Sequence, residues 1–403
     1  MITLLDCNDA SLRLWRNEQD TWSPGFAWFN EGRYRFGEVA WQQARRAPRE
    51  VNSRYWHRLS TQPLSPTLGP ARHTADLAHA HLEALLGDVD SELTLAVPGA
   101  MESDQLSLLL GILQSLRASV GGVVHRSALV GGAVGQSCIH VELQLHQASI
   151  TPVLVADGIA RAGDTHLLPG HGLLGLMDDI AELIGQQFVA QTRFDPQRRA
   201  ETEQKLYEQI PALLQSLATQ SEASCTLDGH VARIAADRLQ TVGAAFSKAV
   251  SPLINGDCTL VALDSLLAVL PGLDLPLPVA NVGAEALPVI ARGVPTSGSE
   301  LIFQREVPCP VNEPRHSTAV SSPDTPPTRA PVTHQLIAGH AAALQSGASL
   351  VSGVVVTGQG EITIESGLGA QLNGSPVEGV TPLKPGDQLT AEGVEIQFIA
   401  VEP

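Results

Sequence analysis

Residues 308–333 read Pro-Cys-Pro-Val-Asn-Glu-Pro-Arg-His-Ser-Thr-Ala-Val-Ser-Ser-Pro-Asp-Thr-Pro-Pro-Thr-Arg-Ala-Pro and onward to Val332 and Thr333, and this run decides how the chain can fold. Proline withholds a backbone donor, and the Ser and Thr between the prolines bring little to bury, so the stretch cannot build a core and reads as a flexible linker. Folding is therefore expected on either side of it. Residues 1–307 are too many for one ordinary core and predict two lobes. Residues 334–403 carry short apolar runs between glycine turns and no long helical period, which predicts a small all-β domain.

The charge balance narrows the function classes. Forty-two acidic against 25 basic residues leave a net charge of −17. Such a surface repels phosphate backbones and anionic lipid, so nucleic-acid and membrane-surface roles are excluded and protein partners are expected. Five scattered cysteines with no Cys-x-x-Cys argue against a disulfide framework or zinc ribbon and fit a reducing compartment. No signal-peptide pattern opens the chain and no long apolar run spans a bilayer, so the expected location is cytoplasmic.

Within residues 1–307 apolar runs and helical periods alternate. Ile2 to Leu5 is a strand that ends at Asp6, folds back through a polar turn to Ser11 and returns as a second strand. Aromatics are dense from Trp15 to Phe29, a short helix is expected near Gly37–Ala44, and the proline-rich 61–72 reads as a loop. A helix over Thr74–Leu86 with Gly87 as its stop follows from Leu77, Ala78, Leu82, Leu85 and Leu86. Next come a strand at Leu93–Val97, a helix from Ser103 as N-cap, a strand at Val120–Val124, a small-residue helix at Ala128–Val134, and a hairpin of Cys138–Leu145 with Ser149–Ala156. Two helices over 172–220 break at Phe194-Asp195-Pro196, and Leu260–Leu263 is a buried strand before Asp264-Ser265 and another helix. The alternation predicts an α/β core. No internal repeat is visible.

Three segments resemble the actin-like ATPase superfamily, and within it the seventy-kilodalton heat-shock chaperones. They are the turn Leu5-Asp6-Cys7-Asn8, the strand end Leu95-Ala96-Val97-Pro98-Gly99-Ala100 with the small-residue run Ala128-Leu129-Val130-Gly131-Gly132-Ala133-Val134 after it, and the hairpin Cys138-Ile139-His140-Val141-Glu142. The resemblance implies a two-lobed, ribonuclease-H-like fold with nucleotide between the lobes. It places Asp6 and Asn8 in a first phosphate loop, Glu142 and Gln144 in a second, and Asp264 and Ser265 at an adenosine site. Active relatives carry glycines in all three places, so that backbone N–H groups can approach phosphate. Here Asn8, Leu143 with Gln144, and Asp264 with Ser265 replace them. The expected function is thus a non-catalytic, cofactor-free pseudo-ATPase that acts as an interaction or scaffold protein. The alternative is a divergent ATPase or chaperone-like protein that binds ATP and magnesium through those six residues, with Glu142 positioning a metal-bound water.

Residues 334–403 resemble forkhead-associated domains through Leu372-Asn373-Gly374-Ser375-Pro376-Val377, Leu383-Lys384-Pro385-Gly386-Asp387-Gln388-Leu389 and Val394-Glu395-Ile396-Gln397-Phe398. Phosphothreonine recognition favours arginine forks, and residues 330–403 hold no arginine and one lysine, so packing or partner contact is the expected use. Other groupings are weaker. Cys138 and His140 share a strand face beside His146, and His79 lies near His81, without a third metal ligand at useful spacing. A glycine-rich stretch holds Gly158, Arg161, Gly163, Asp164, His166 and His171. Arg193, Asp195, Arg198, Arg199 and Glu201 form a charged helix junction. No nucleophile elbow or Walker loop occurs.

Overall fold

A computed structural model of the chain describes residues 2–16, 19–87, 91–254, 256, 258–295 and 301–309. It further describes 333–399 apart from 338–339, 345–346, 352, 359–360, 365–367, 374, 378, 384–385 and 392–393. These residues fall into two compact units, Met1–Arg315 and His316–Pro403, the first mixed α/β. Most of the expected linker, 310–332, lies outside the described residues.

The first sheet grows around the opening strand. β1 (Thr3–Asp6) is buried throughout and pairs antiparallel with β2 (Arg13–Arg16), which pairs with β3 (Gln19–Trp22). An insertion follows: β4 (Ala27–Asn30), β5 (Arg33–Phe36), the short helix α1 (Glu38–Trp41), β6 (Val51–Asn52), and the hairpin of β7 (Pro63–Leu68) and β8 (Ala71–His73). The loop expected at 61–72 is thus a hairpin. Its sheet has only two strands, so the prolines withhold no bond that a third strand would need. Helix α2 (Thr74–Leu86) buries Leu77, Ala78, His81, Leu82 and Leu86 and stops at Gly87, whose φ of 53° suits glycine. His81 is a core histidine. Its Nδ1 accepts from Tyr55 Oη at 2.6 Å and Trp56 Nε1 at 3.2 Å, its Nε2 meets Ser23 Oγ at 2.7 Å, and burial lowers its pKa to about 3.

β9 (Leu93–Val97) then runs parallel to β1. α3 (Ser103–Ser115) begins one residue earlier than expected, since the Glu102 N–H donates to Gln105 Oε1 at 3.0 Å and makes Glu102 the cap. β10 (Val120–His125) lies parallel to β9, which gives the order β3-β2-β1-β9-β10.

Helix α4 (Arg126–Val134) carries the chain into a second sheet. β11 (Cys138–Leu143), β12 (Gln147–Ala156) and β13 (Ile159–Ala162) form an antiparallel meander, and β14 (His166–Pro169) also pairs with β12. Helices α5 (Leu173–Thr192) and α6 (Ala200–Leu217) break where expected, at Asp195-Pro196, and are followed by the hairpin β15 (Glu222–Leu227) and β16 (His230–Ala235), then α7 (Gln240–Val250). β17 (Leu260–Asp264) is parallel to β11. After α8 (Ser265–Ala268), β18 (Val279–Val282) is parallel to β17. After α9 (Leu287–Ala291), the chain closes both sheets: β19 (Phe303–Gln304) joins β10 and β20 (Glu306–Pro308) joins β13. The second order, β13-β12-β11-β17-β18, repeats the first with the same strand directions. Topology is duplicated although the sequence shows no repeat.

The second sheet packs on α5, α6 and α7 through Ile180, Ile184, Phe188, Leu206, Ile210, Leu214 and Phe246. Each such buried side chain contributes roughly 1.5–3 kcal/mol. α4 lies unusually close to its surroundings because of its glycines. A Cβ on Gly131 would come within 2.3 Å of Val153 Cγ1, and one on Gly132 within 2.8 Å of Ile290 Cγ2. That close seat fixes the position of Arg126 at the helix start.

Among the described residues the C-terminal unit has strands and no helix. One sheet holds β21 (His334–Ile337), β22 (His340–Ala343), β26 (Gln371–Leu372), β27 (Ser375–Pro376), β29 (Gln388–Ala391) and β30 (Val394–Ile399). The other holds β23 (Ser349–Val351), β24 (Val354–Gly358), β25 (Glu361–Ile364) and β28 (Gly379–Pro382). Val354, Val356, Ile362 and Ile364 of one sheet share a core with Leu389, Ala391, Ile396 and Phe398 of the other. The two turns singled out in the sequence meet: Asn373, with φ 53°, donates through Nδ2 to Asp387 Oδ1 at 2.8 Å. Gly374, Lys384 and Pro385 lie outside the described residues.

Candidate functional site

The carboxyl ends of β1, β11 and β17 converge, and a single cation lies among them. Arg126 is the first residue of α4 and only 3% exposed. Its Nε donates to Asp6 Oδ1 at 2.9 Å and Oδ2 at 3.1 Å. Its Nη1 donates to Asp264 Oδ1 at 3.1 Å and lies 3.4 Å from Glu142 Oε1. A positive side chain opposes the dipole at a helix N-terminus, so the carboxylates, not the helix, hold it there. Asp6, Asn8, Glu142 and Asp264 are therefore brought together, around an arginine that the sequence analysis does not single out.

The two turns flanking this cluster bond directly to each other. Asn8 Nδ2 donates to Glu142 Oε1 at 3.0 Å and to the Leu143 carbonyl at 3.1 Å. The Leu145 N–H donates to Asp9 Oδ1 at 2.8 Å, and the Leu143 N–H donates to Asp264 Oδ2 at 3.0 Å. Backbone donors that could have faced an anion are spent on these side chains. Gln144 stands apart, with its Oε1 accepting from Gln147 Nε2 at 2.8 Å. Ser265 opens α8 and lines the neighbouring cleft.

Burial and Arg126 divide the cluster's charges. Burial raises Asp6, against the pull of Arg126. Burial pushes Glu142 up to about 8, again opposed by Arg126. Asp264 falls well below the usual carboxylate range: burial alone would raise it, but Arg126 and then His140 outweigh that. Burial likewise raises Asp9 to about 6. Arg126 itself is held charged by Asp264, Asp6 and Glu142 against its own desolvation.

His140 Nδ1 lies 2.8 Å from Ser127 Oγ, and its Nε2 lies 3.8 Å from Asp264 Oδ1, beyond hydrogen-bond length. The residue types are those of a hydrolase triad. Ser127 has no exposed surface, so no substrate reaches it, and burial lowers the His140 pKa. Among the described residues no group of His, Cys, Asp and Glu is arranged to hold a metal ion. Arg161 pairs with Glu306 and Arg305 with Asp164, on the surface and away from the cleft. Arg199 and Lys205 both pair with Asp228.

Beside the Arg126 cluster lies a cavity of about 300 Å³ with mainly apolar walls. Its lining includes Trp22, Phe26 and Trp41, the aliphatic Leu143, Leu145, Leu174 and Met177, and the polar Arg126, Asp264 and Ser265. A neighbouring cleft, which shares Phe26, Trp41, Leu145 and Leu174 with this cavity, is clamped across. Arg45, just beyond α1, bonds to Asp178 of α5, lies 3.9 Å over the Tyr207 ring of α6, and donates from its N–H to Gln204 Oε1 at 2.9 Å. Tyr207 Oη completes the clamp on Asp178 Oδ1 at 2.5 Å. Beyond Asp6, Asn8, Glu142, Asp264 and Ser265, the sequence signals for this site are the aromatic density from Trp15 to Phe29 and a lone arginine between the apolar runs at 120–124 and 128–134. Replacing Asp6 by alanine leaves the Arg126 Nε without its acceptor in a dry site. The expected result is a melting temperature lowered by several degrees, for a loss of about 2–3 kcal/mol, read by calorimetry.

Comparison with protein-family models and with curated proteins gives no match. No helix among the described residues is long and apolar enough to cross a membrane.

Proposed function

We propose that residues 1–307 have the two-lobed fold of the actin and heat-shock ATPases and use it without nucleotide, as a cytoplasmic interaction or scaffold protein. The duplicated order 3-2-1-4-5, with the chain passing from one sheet to the other through α4, supports the fold. The observation that carries the function is Arg126. It sits among Asp6, Glu142 and Asp264, the carboxylates a hydrated magnesium ion would need, and supplies the positive charge itself. Magnesium and ATP do not fit these residues: the cation position is taken by a guanidinium, the two turns that would part around phosphates are hydrogen-bonded together, and the adjoining cavity is apolar. The C-terminal sandwich is read as a forkhead-associated-like domain used for packing or partner contact, its single lysine and absence of arginine past residue 330 disfavouring phosphopeptides.

Titration calorimetry of the full chain with ATP and with ADP, each with and without magnesium, tests the reading. No saturable heat is expected up to millimolar nucleotide. Magnesium-dependent binding in the micromolar range would overturn it.

A further inference from the structure

We propose that the cleft holds an uncharged, aromatic-sized apolar ligand with a hydrogen-bond-donating end, seated among Trp22, Phe26, Trp41, Leu143, Leu174 and Met177. The volume of about 300 Å³ is at the small end of ligand pockets, which run from roughly 300 to 1,000 Å³. It is too small for a helix. An apolar cavity of this kind holds water poorly, and the three aromatic side chains in its lining offer flat surface to a ring.

The polar groups decide the ligand's charge. The charge of Arg13 is balanced by Asp20, 2.9 Å from its Nη1, although its Nε is buried without a hydrogen-bond partner, and Arg126 is enclosed by its three carboxylates, so neither arginine of the lining carries an unbalanced charge. The lining also holds Asp264, whose carboxylate is 19% exposed, and the serines Ser11 and Ser265. A ligand that donates there is accommodated, whereas an anion would be desolvated beside a carboxylate. Trp22 ends β3 and Trp41 ends α1, while Leu174 and Met177 open α5. The occupant therefore touches the β1 side and the β11 side of the cleft at once. It takes the place that the reading above leaves free of nucleotide, and it rests on that reading.

The test uses two probes with one ring system: N-phenyl-1-naphthylamine, neutral with an N–H donor, and its sulfonated relative 1-anilinonaphthalene-8-sulfonate. Each is titrated into the full chain, and probe emission and tryptophan quenching are followed. The neutral probe is expected to bind saturably at one site. The sulfonate is expected to bind at least about tenfold more weakly, because its charge is buried unpaired. Ala284→Trp, which fills the cavity, is expected to abolish saturable binding at an unchanged melting temperature, and Ala10→Trp serves if that variant fails to fold. Absent saturation, equal binding of the sulfonate, or binding that survives the cavity-filling change overturns the proposal. Displacement of the neutral probe by magnesium-ATP would sink the nucleotide-free reading while leaving the cavity as a site.

Discussion

Arg126→Met is expected to be the most damaging single substitution in the cleft. Methionine fills much of the same volume, so the loss is electrostatic and not a cavity effect. It leaves Asp6, Glu142 and Asp264 together in a buried site with no cation. Removing one partner of a buried ion network costs about 3–5 kcal/mol, because the remaining charges stay desolvated. For a unit of this size that corresponds to a fall in melting temperature of roughly 5–8 °C. Arg126→Lys should lie in between: it keeps the charge but cannot fork to three acceptors. The decisive comparison is Arg126→Met combined with Asp6→Asn and Glu142→Gln. Neutralising the stranded carboxyls should recover most of the loss, which a general packing defect would not allow. A melting temperature within a degree or two of wild type for Arg126→Met alone would show that the guanidinium does not hold the cluster together.

The difference between what could be read in the sequence and what could not is physical. Strands β1, β9 and β17 are legible because buried parallel strands are nearly continuous apolar runs, β11 as half of a hairpin with β12, and α2 and α5 because one helical face repeats its apolar residues. The first and second turns could be located from Asp6, Asn8 and Glu142, since a polar residue ending an apolar strand stands out. What those residues bond to was not legible. Arg126 is 120 positions from Asp6 and 138 from Asp264, and only the folded strand order brings them together. The duplicated topology escaped notice for a related reason: strand order depends on which apolar runs pair, and many different apolar sequences can pair in the same order. The hairpin at 63–73 was missed because proline marks a strand edge as readily as a loop. The cavity needed Trp22 and Trp41, on separate elements, to share a lining with Leu174 and Met177, more than a hundred residues away.

Glu142→Gln should change how stability depends on pH. Glu142 in the folded protein titrates near 8, against 4.5 for an ordinary glutamate, so the folded state holds its proton more tightly than the unfolded state does. The stability this proton contributes is fully present below about pH 4.5 and is lost as pH rises through 8. Asp9, raised to about 6, acts in the same direction over a lower window. Asp264 acts in the opposite direction: its depressed pKa contributes stability above its ordinary value of 3.8 that is lost as pH falls below it. The wild-type protein is thus expected to be most stable in mildly acidic solution and to lose a few kcal/mol between pH 6 and 9. Glutamine keeps an acceptor for Asn8 Nδ2 and carries no proton to lose. Glu142→Gln should therefore make the decline above pH 6 shallower, where Asp9 has already titrated and Asp6, raised in the same direction by burial, supplies what remains, and leave the acid limb set by Asp264 unchanged. Denaturant unfolding across pH 2–9 measures both limbs, and an equally steep decline above pH 6 in the variant would assign the loss to some other group.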